Sequence, residues 1–234
     1  MSFNVLGAKH TAAGGNAEEL ASGPERGKGA LDLLERYDPD IIAFQELQQS
    51  QVDFMKRRLG SRYGLLRHLD NSVAWRRDTF TVLGRTSLTI PYFGGLPREM
   101  PVVRLRLTGT RHVISVLGVH NPADVHGDAS AFRAGAVALE RAFVQQERKR
   151  GRAVFVVGDF NDREDTFCAL AEGGLMTSAN GGAYVKGECV PPADIQIDWI
   201  FGAGVQFTSF VSDESSRDDG ISDHPILAAT ADLS

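Results

Sequence analysis

The stretch "RAVFVVGDFNDRED", Arg152 to Asp165, changes character at its centre. Ala153 to Val157 are five consecutive apolar residues, the run expected of a buried strand. Gly158 breaks the run, and the next seven residues hold three Asp, one Glu and one Asn. A core strand that discharges into oxygen-bearing side chains either meets a solvated loop or forms one wall of a site. The rest of the chain decides between the two.

The same change recurs at the ends of other apolar runs. Asn4 interrupts Phe3 to Leu6, Glu46 ends "IIAFQE", and His120 with Asn121 ends "VISVLGVHN". Asp198 lies inside "IQIDWIF", where an unpaired buried carboxylate would be costly. Asp223 and His224 precede the run Pro225 to Ala229. One strand ending in a charge is unremarkable. Six ending in a carboxylate, an amide or an imidazole point to one shared cleft. Carboxylates and amides without a cysteine cluster suit hard cations, Mg²⁺ or Mn²⁺ first and Ca²⁺ after them. Two histidines among them supply groups that titrate near neutral pH. That mixture fits hydrolysis of a phosphate ester: a cation offsets phosphoryl charge, a carboxylate orients water, and imidazoles stabilise developing charge.

Bulk properties narrow the classes. A chain of 234 residues fits one large domain, and 42% hydrophobic with 24% charged residues is the composition of an ordinary globule. A formal charge of -5 excludes a generally basic nucleic-acid coat but not a local basic strip. No window approaches the roughly 18 apolar residues of a membrane span. No signal peptide stands before Phe3, so the chain is expected to be cytoplasmic, or secreted with a leader outside this sequence. Cys168 and Cys189 lack CxxC spacing, which argues against zinc. They form one disulfide or remain two free thiols.

Extended runs are expected at Phe3–Leu6, Ile41–Phe44, Ser72–Trp75, Phe80–Leu83, Val102–Leu107, Val113–Val119, Ala153–Val157, Ile195–Phe201 and Pro225–Ala229. Helical periodicity marks "GALDLLERYD", "SQVDFMKRRLG" and Ser130 to Arg150, the last with Phe132, Val137, Leu139 and Phe143 towards its buried side and a solvated basic end. "GAKHTAAGGNAEELASGPERG" and "RTSLTIPYFGGLPREMP" read as long irregular loops. The "RGKG" at Arg26 lacks the spacing of a nucleotide-binding loop. Strands too numerous for simple alternation imply a mixed, largely antiparallel α/β domain.

"FNVLG", "FQE", "GVHN", "GDFN", "IDWIF" and "SDHP" stand in the order of the endonuclease/exonuclease/phosphatase superfamily, and the sequence resembles that DNase I-like family from Asn4 to about Pro225. The resemblance implies a four-layered α/β/β/α sandwich of two mostly antiparallel sheets. It implies Glu46 as principal metal ligand, with Asn4 and Asp223 in the metal shell. Asp159 then resembles the residue that orients the attacking water, and Asn161 the one that holds a phosphate oxygen. Asp198 resembles the partner that fixes the His224 tautomer, and His120 the second histidine. Arg98 and Asn71 match positions that touch substrate in the family, and each has an ordinary loop or turn role as its alternative. Asn121 and His10 are lesser substrate-binding candidates, His10 being otherwise an exposed loop histidine. His68, His112 and His126 default to surface, and Asp162, Glu164 and Asp165 to helix N-terminal acids.

The histidine of "GVHN" stands where exonuclease III and AP-endonuclease relatives carry tyrosine. The resemblance therefore favours a metal-dependent endonuclease-like phosphodiesterase acting on DNA, then RNA, as a monomer. The alternative is a phosphodiesterase or phosphatase of a small or lipid phosphoester, sphingomyelinase-like, for which "PYFGGLP" offers only two aromatic residues.

Overall fold

The protein is described here by a computed structural model covering residues 1–233. Strand β1 (Ser2–Asn4) leads through helix α1 (Gly23–Tyr37) to β2 (Ile41–Gln45), followed by α2 (Gln49–Leu59), β3 (Tyr63–His68) and β4 (Asn71–Arg76). Then come β5 (Phe80–Pro91), β6 (Pro97–Leu107), β7 (Val113–His120), α3 (Ser130–Lys149), β8 (Ala153–Asp159) and α4 (Glu164–Ala171). Three short strands follow, β9 (Thr177–Ser178), β10 (Ala183–Val185) and β11 (Glu188–Val190), before β12 (Asp198–Ala203). The chain closes with β13 (Val205–Asp213), α5 (Ser215–Asp218) and β14 (Ile226–Leu233).

Two six-stranded sheets result, in the orders β13-β14-β1-β2-β4-β3 and β5-β6-β7-β8-β12-β9. Each contains one parallel pair, β1 with β2 and β7 with β8, and is otherwise antiparallel. A parallel pair needs a crossover, and α1 and α3 supply them. One core joins α1 and α2 to the first sheet through Leu31, Leu34, Phe44 and Val52. Another joins α3 and α4 to the second through Val137, Val144, Phe167 and Trp199. Val73, Trp75, Leu105 and Val116, with Ala43, Val157 and Leu227, fill the space between the sheets. The layers are therefore α/β/β/α, as the resemblance implies. Among the described residues no helix is long and apolar enough to cross a membrane.

Register is what positions the functional side chains. His120 pairs with Asp159 across the parallel β7–β8 ladder, and Asp159 pairs with Asp198 across the antiparallel β8–β12 ladder. Three candidate residues thus form one row across adjacent strands at the sheet's end. On the facing sheet Asn4 pairs with Gln45, one residue before Glu46. Gly158 allows the two ends to approach: a Cβ there would lie 2.0 Å from the Val119 carbonyl oxygen and 2.9 Å from Gln45 Nε2.

Several local expectations are corrected. "RTSLTIPYFGGLPREMP" is not an irregular loop but the distal half of the β5–β6 hairpin, turning at Tyr92–Leu96. β5 is an edge strand, where proline is tolerated, and Pro91 pairs with Pro97 at the last rung. β3 and β13 have only weak apolar alternation and were not expected. The first long loop is irregular to Ser22, and then Gly23–Gly27 open α1, with the Glu25 carboxylate accepting from the Ser22 N–H at 3.0 Å. On α3 the buried stripe is Ala136, Val137, Glu140, Phe143, Val144 and Glu147, while Leu139 is exposed. The basic end of α3 is not simply solvated. Glu147 is fully buried and accepts from Ser115 Oγ at 2.6 Å and from Arg104, Arg150 and Arg152.

Cys168 and Cys189 form a disulfide with Cα atoms 5.4 Å apart, fastening the β10–β11 hairpin to α4. Replacing both cysteines by serine is expected to cost about 3 kcal/mol by the loop-entropy account. Urea unfolding of the variant measures this, and an unchanged midpoint would show that the bridge adds no stability.

Candidate active site

The Asp159 carboxylate is the centre of the site. Its Oδ1 accepts from the Asn161 backbone N–H at 2.8 Å, which leaves Oδ2 facing the cleft. Asn4, from the other sheet, donates through Nδ2 to that oxygen at 3.2 Å. His120 Nε2 and His224 Nε2 each lie 3.7 Å from it. His224 Nδ1 is 2.7 Å from Asp198 Oδ2, so Asp198 fixes the ring and directs Nε2 towards Asp159. Asn161 Nδ2 donates to the Asn121 carbonyl at 2.9 Å, which leaves its second N–H for another acceptor.

Glu46 forms a second pole. The Asn4 amide also donates to Glu46 Oε1 at 3.4 Å, and the Gly7 N–H donates to Oε2 at 3.0 Å. The Asn4 amide cannot turn over, because its Oδ1 accepts from the Leu6 N–H at 3.1 Å. Asn4 therefore bridges the two carboxylates as a donor. His10 approaches from the first long loop, with Nε2 2.9 Å from Glu46 Oε2.

Charge follows from this geometry. Burial alone would push the His224 imidazolium down in pKa. The Asp198 charge and hydrogen bond overcome it, Asp159 and Asp223 add to them, and the group stands at about 10. Burial also pushes Asp159 up, as does the Asp198 charge, against the opposing pull of His224 and His120. Glu46 is held below the usual carboxylate range: burial opposes this, but His120, the Gly7 N–H, His10 and Asn4 together outweigh it.

The donor set fits a hard divalent cation. Glu46 offers an ionised carboxylate beside an imidazole, and Asp159, Asp198 and His224 offer three ligand atoms within 4.8 Å of one another. His120 Nδ1, Asp198 Oδ1 and Asn71 Oδ1 are buried without protein partners, as expected where ion, solvent and phosphate complete a site. With His224 Nδ1 engaged by Asp198, the trio around Asp159 can handle protons or join in holding a cation, and Glu46 offers a further carboxylate for one.

The remaining sequence candidates divide. Asp223 is exposed; its carbonyl accepts from Arg217 Nε at 2.8 Å, and its carboxylate bears on the site as a nearby charge on His224. Arg98 is ion-paired with Asp70 and lies over the Tyr92 ring, 4.2 Å from its centroid. Asn71 is buried, with Nδ2 on Met100 Sδ at 3.2 Å. Asn121 is buried beneath the row.

Three contributors have no sequence signal of the motif kind. Tyr92, in the misread hairpin, meets His120 edge-on with ring centroids 6.4 Å apart, and burial pushes its phenol above the ordinary value. Glu140 is buried next to Asn121; burial pushes it up to about 8 and Asn121 opposes that. Only the period of α3 could have found it. Arg26, in the dismissed "RGKG", is a buried clamp. It donates to the carbonyls of Val5, Leu6 and Ile221 at 2.8, 2.6 and 2.6 Å, joining the loop behind Asn4 to the loop before His224.

Residues 1–224 match the model of the Endonuclease/Exonuclease/phosphatase family. The chain belongs to this family, whose members hydrolyse phosphoesters. No match to a curated protein sequence was found. The fold is similar to a Bacteroides thetaiotaomicron mannosyl-6-phosphatase, at 17% identity and TM-score 0.74, over 99% of this chain and 98% of that one. It is similar to Danio rerio TDP2 in complex with a single-strand DNA product, at 16% identity and TM-score 0.67, over 99% and 97%. The human nocturnin catalytic domain with bound sulfate matches at 16% identity and TM-score 0.71, over 97% and 93%. At these identities the likeness is one of fold.

If the Asp198 carboxylate holds the His224 proton, Asp198→Asn should move the alkaline limb of activity from near 10 towards the ordinary histidine value of 6.5. A raised pKa keeps the imidazolium present below it, so the variant should lose activity as pH rises through neutrality, where the parent does not. A pH–rate profile of both proteins checks this, and coincident alkaline limbs would refute the pairing.

Proposed function

We propose that this family member is a divalent-metal-dependent phosphodiesterase that uses Asp159 to orient water and His224 to stabilise the attacked phosphate. The observation that carries it is the convergence of Asn4, His120 and His224 on one oxygen of Asp159. With its other oxygen tied to Asn161, Asp159 accepts a proton from water at Oδ2. The His224 imidazolium, fixed by Asp198, donates from Nε2 to a phosphate oxygen as charge builds there. His120, on the other side of Asp159, donates to a second oxygen or to the leaving group, and the free N–H of Asn161 takes a third. Glu46, with Asp223 as a further acid, would hold a divalent cation, which would supply charge for the phosphoryl oxygens. Asn4 keeps the two carboxylates in register.

For substrate, the motif order suggests nucleic acid, DNA before RNA. A small-molecule or lipid phosphoester is supported by the charge around the cleft. Arg98, Arg133 and Arg217, all on or against loops that carry site residues, are ion-paired with Asp70, Asp124 and Glu214. Neutralised arginines make a poor strip for tracking a phosphate backbone, whose binding relies on unpaired cations. These three pairs favour the compact substrate, whereas exposed Lys9 and Arg163, beside site residues, form no ion pair among the described residues.

Plasmid DNA, single-stranded RNA, bis-nitrophenyl phosphate and sphingomyelin, each with Mg²⁺, Mn²⁺ or EDTA, test this directly. Metal-dependent turnover is expected, with Asp159→Ala lower by about 10²-fold or more. A compact substrate should tolerate added salt, whereas steep salt inhibition of plasmid nicking would establish the nucleic-acid reading. Turnover that is indifferent to EDTA and to Asp159→Ala would refute the mechanism.

A further inference from the structure

His10 lies apart from the catalytic row, in the turn-rich segment between β1 and α1, yet both of its ring nitrogens are engaged. Nε2 is 2.9 Å from Glu46 Oε2, and Nδ1 is 2.6 Å from Asn16 Oδ1. The segment is anchored: the His10 N–H donates to the Gly7 carbonyl, its carbonyl accepts from the Ala17 N–H, and the Lys9 N–H donates to Gln48 Oε1, each at 2.9 Å. The Asn16 oxygen can only accept, so Nδ1 carries the proton. In the neutral tautomer this leaves the Nε2 lone pair aimed at a carboxylate oxygen. A proton at Nε2 makes the contact an ion pair; without one, the two lone pairs repel unless a cation lies against both.

This arrangement has the features of a metal-bound histidine. Such a ring donates its other N–H to a fixed acceptor, which sets the tautomer and aims the lone pair. Neighbouring ligands at right angles on an octahedral ion, each about 2.1 Å from it, stand about 3 Å apart. The 2.9 Å between His10 Nε2 and Glu46 Oε2 matches that spacing. Mg²⁺ takes oxygen ligands and keeps its waters, whereas imidazole is a better ligand for first-row transition ions.

We infer that His10 Nε2 is a ligand of the cation at Glu46, held in the binding tautomer by Asn16, and that it makes this site select Mn²⁺ or a later first-row ion over Mg²⁺. The inference rests on the proposed placement of the cation at Glu46.

Pulsed EPR of the full chain loaded with one equivalent of Mn²⁺ tests it without reference to turnover. The parent should show the ¹⁴N modulation of a bound imidazole. His10→Asn should lose it, and His120→Asn and His224→Asn should keep it. Calorimetric titration should show Mn²⁺ affinity falling about tenfold in Asn16→Ala, as for loss of a ligand's supporting partner, with Mg²⁺ affinity much less changed. No modulation in the parent, or modulation that survives in His10→Asn, overturns the assignment of His10. Glu46→Gln separates the two layers of the argument. If it abolishes Mn²⁺ binding while His10→Asn leaves binding and modulation intact, His10 alone is wrongly assigned. If Mn²⁺ binds Glu46→Gln undiminished, the placement of the cation fails, and the His10 inference with it.

Discussion

Everything in the site depends on where one carboxylate oxygen points. Asp159 is buried at the end of a central strand, a position hostile to charge unless its oxygens are satisfied. Asn161, two residues on, satisfies one from within the same loop. Asn4 satisfies the other from the opposite sheet, 155 positions away in sequence. The sandwich must close correctly for that bond to exist, so the fold and the chemistry share a constraint. A one-residue slip of β8 against β7 or β12 would separate Asp159 from His120 and Asp198 and turn it to the other face.

Backbone geometry at the strand ends shows how the side chains are delivered. Glu46, the first residue past β2, and Asn161, the second past β8, both have left-handed backbone, with φ of 61° and 51°. Leu6, just past Asn4, has φ of 50°. A non-glycine residue there costs on the order of 1 kcal/mol or more, which surrounding contacts must offset. Gly7 and His10 hold Glu46, the Asn121 carbonyl holds Asn161, and Arg26 with Gln51 holds the Leu6 carbonyl. The chain leaves each strand in a sharp turn that keeps the polar end over the cleft.

Much of this was legible in the sequence, because strand ends in ordered motifs carry their chemistry with them. Asn4, Glu46, His120, Asp159, Asn161, Asp198 and His224 are brought together, and the layered α/β architecture stands. What was not legible depends on partners distant in sequence. Proline suggested a loop at Pro91 and Pro97 because the edge position of β5 cannot be read from the residues themselves. Glu147 looked solvated within the basic end of α3, because the residues that receive it, Ser115 and Arg104 among them, come from distant strands. Arg26 was dismissed with its glycines, although its role is set by three carbonyls from two other segments.

The central claim is a division of labour: the cation at Glu46, the proton handling at Asp159, Asp198 and His224. Crystals grown with Mn²⁺ and inorganic phosphate, and measured for manganese anomalous scattering, test it most directly. The account predicts one manganese peak within bonding distance of the Glu46 carboxylate, with phosphate between it and the His120 and His224 rings. A manganese peak bonded instead to Asp159, Asp198 and His224, with Glu46 left unbound, would contradict it.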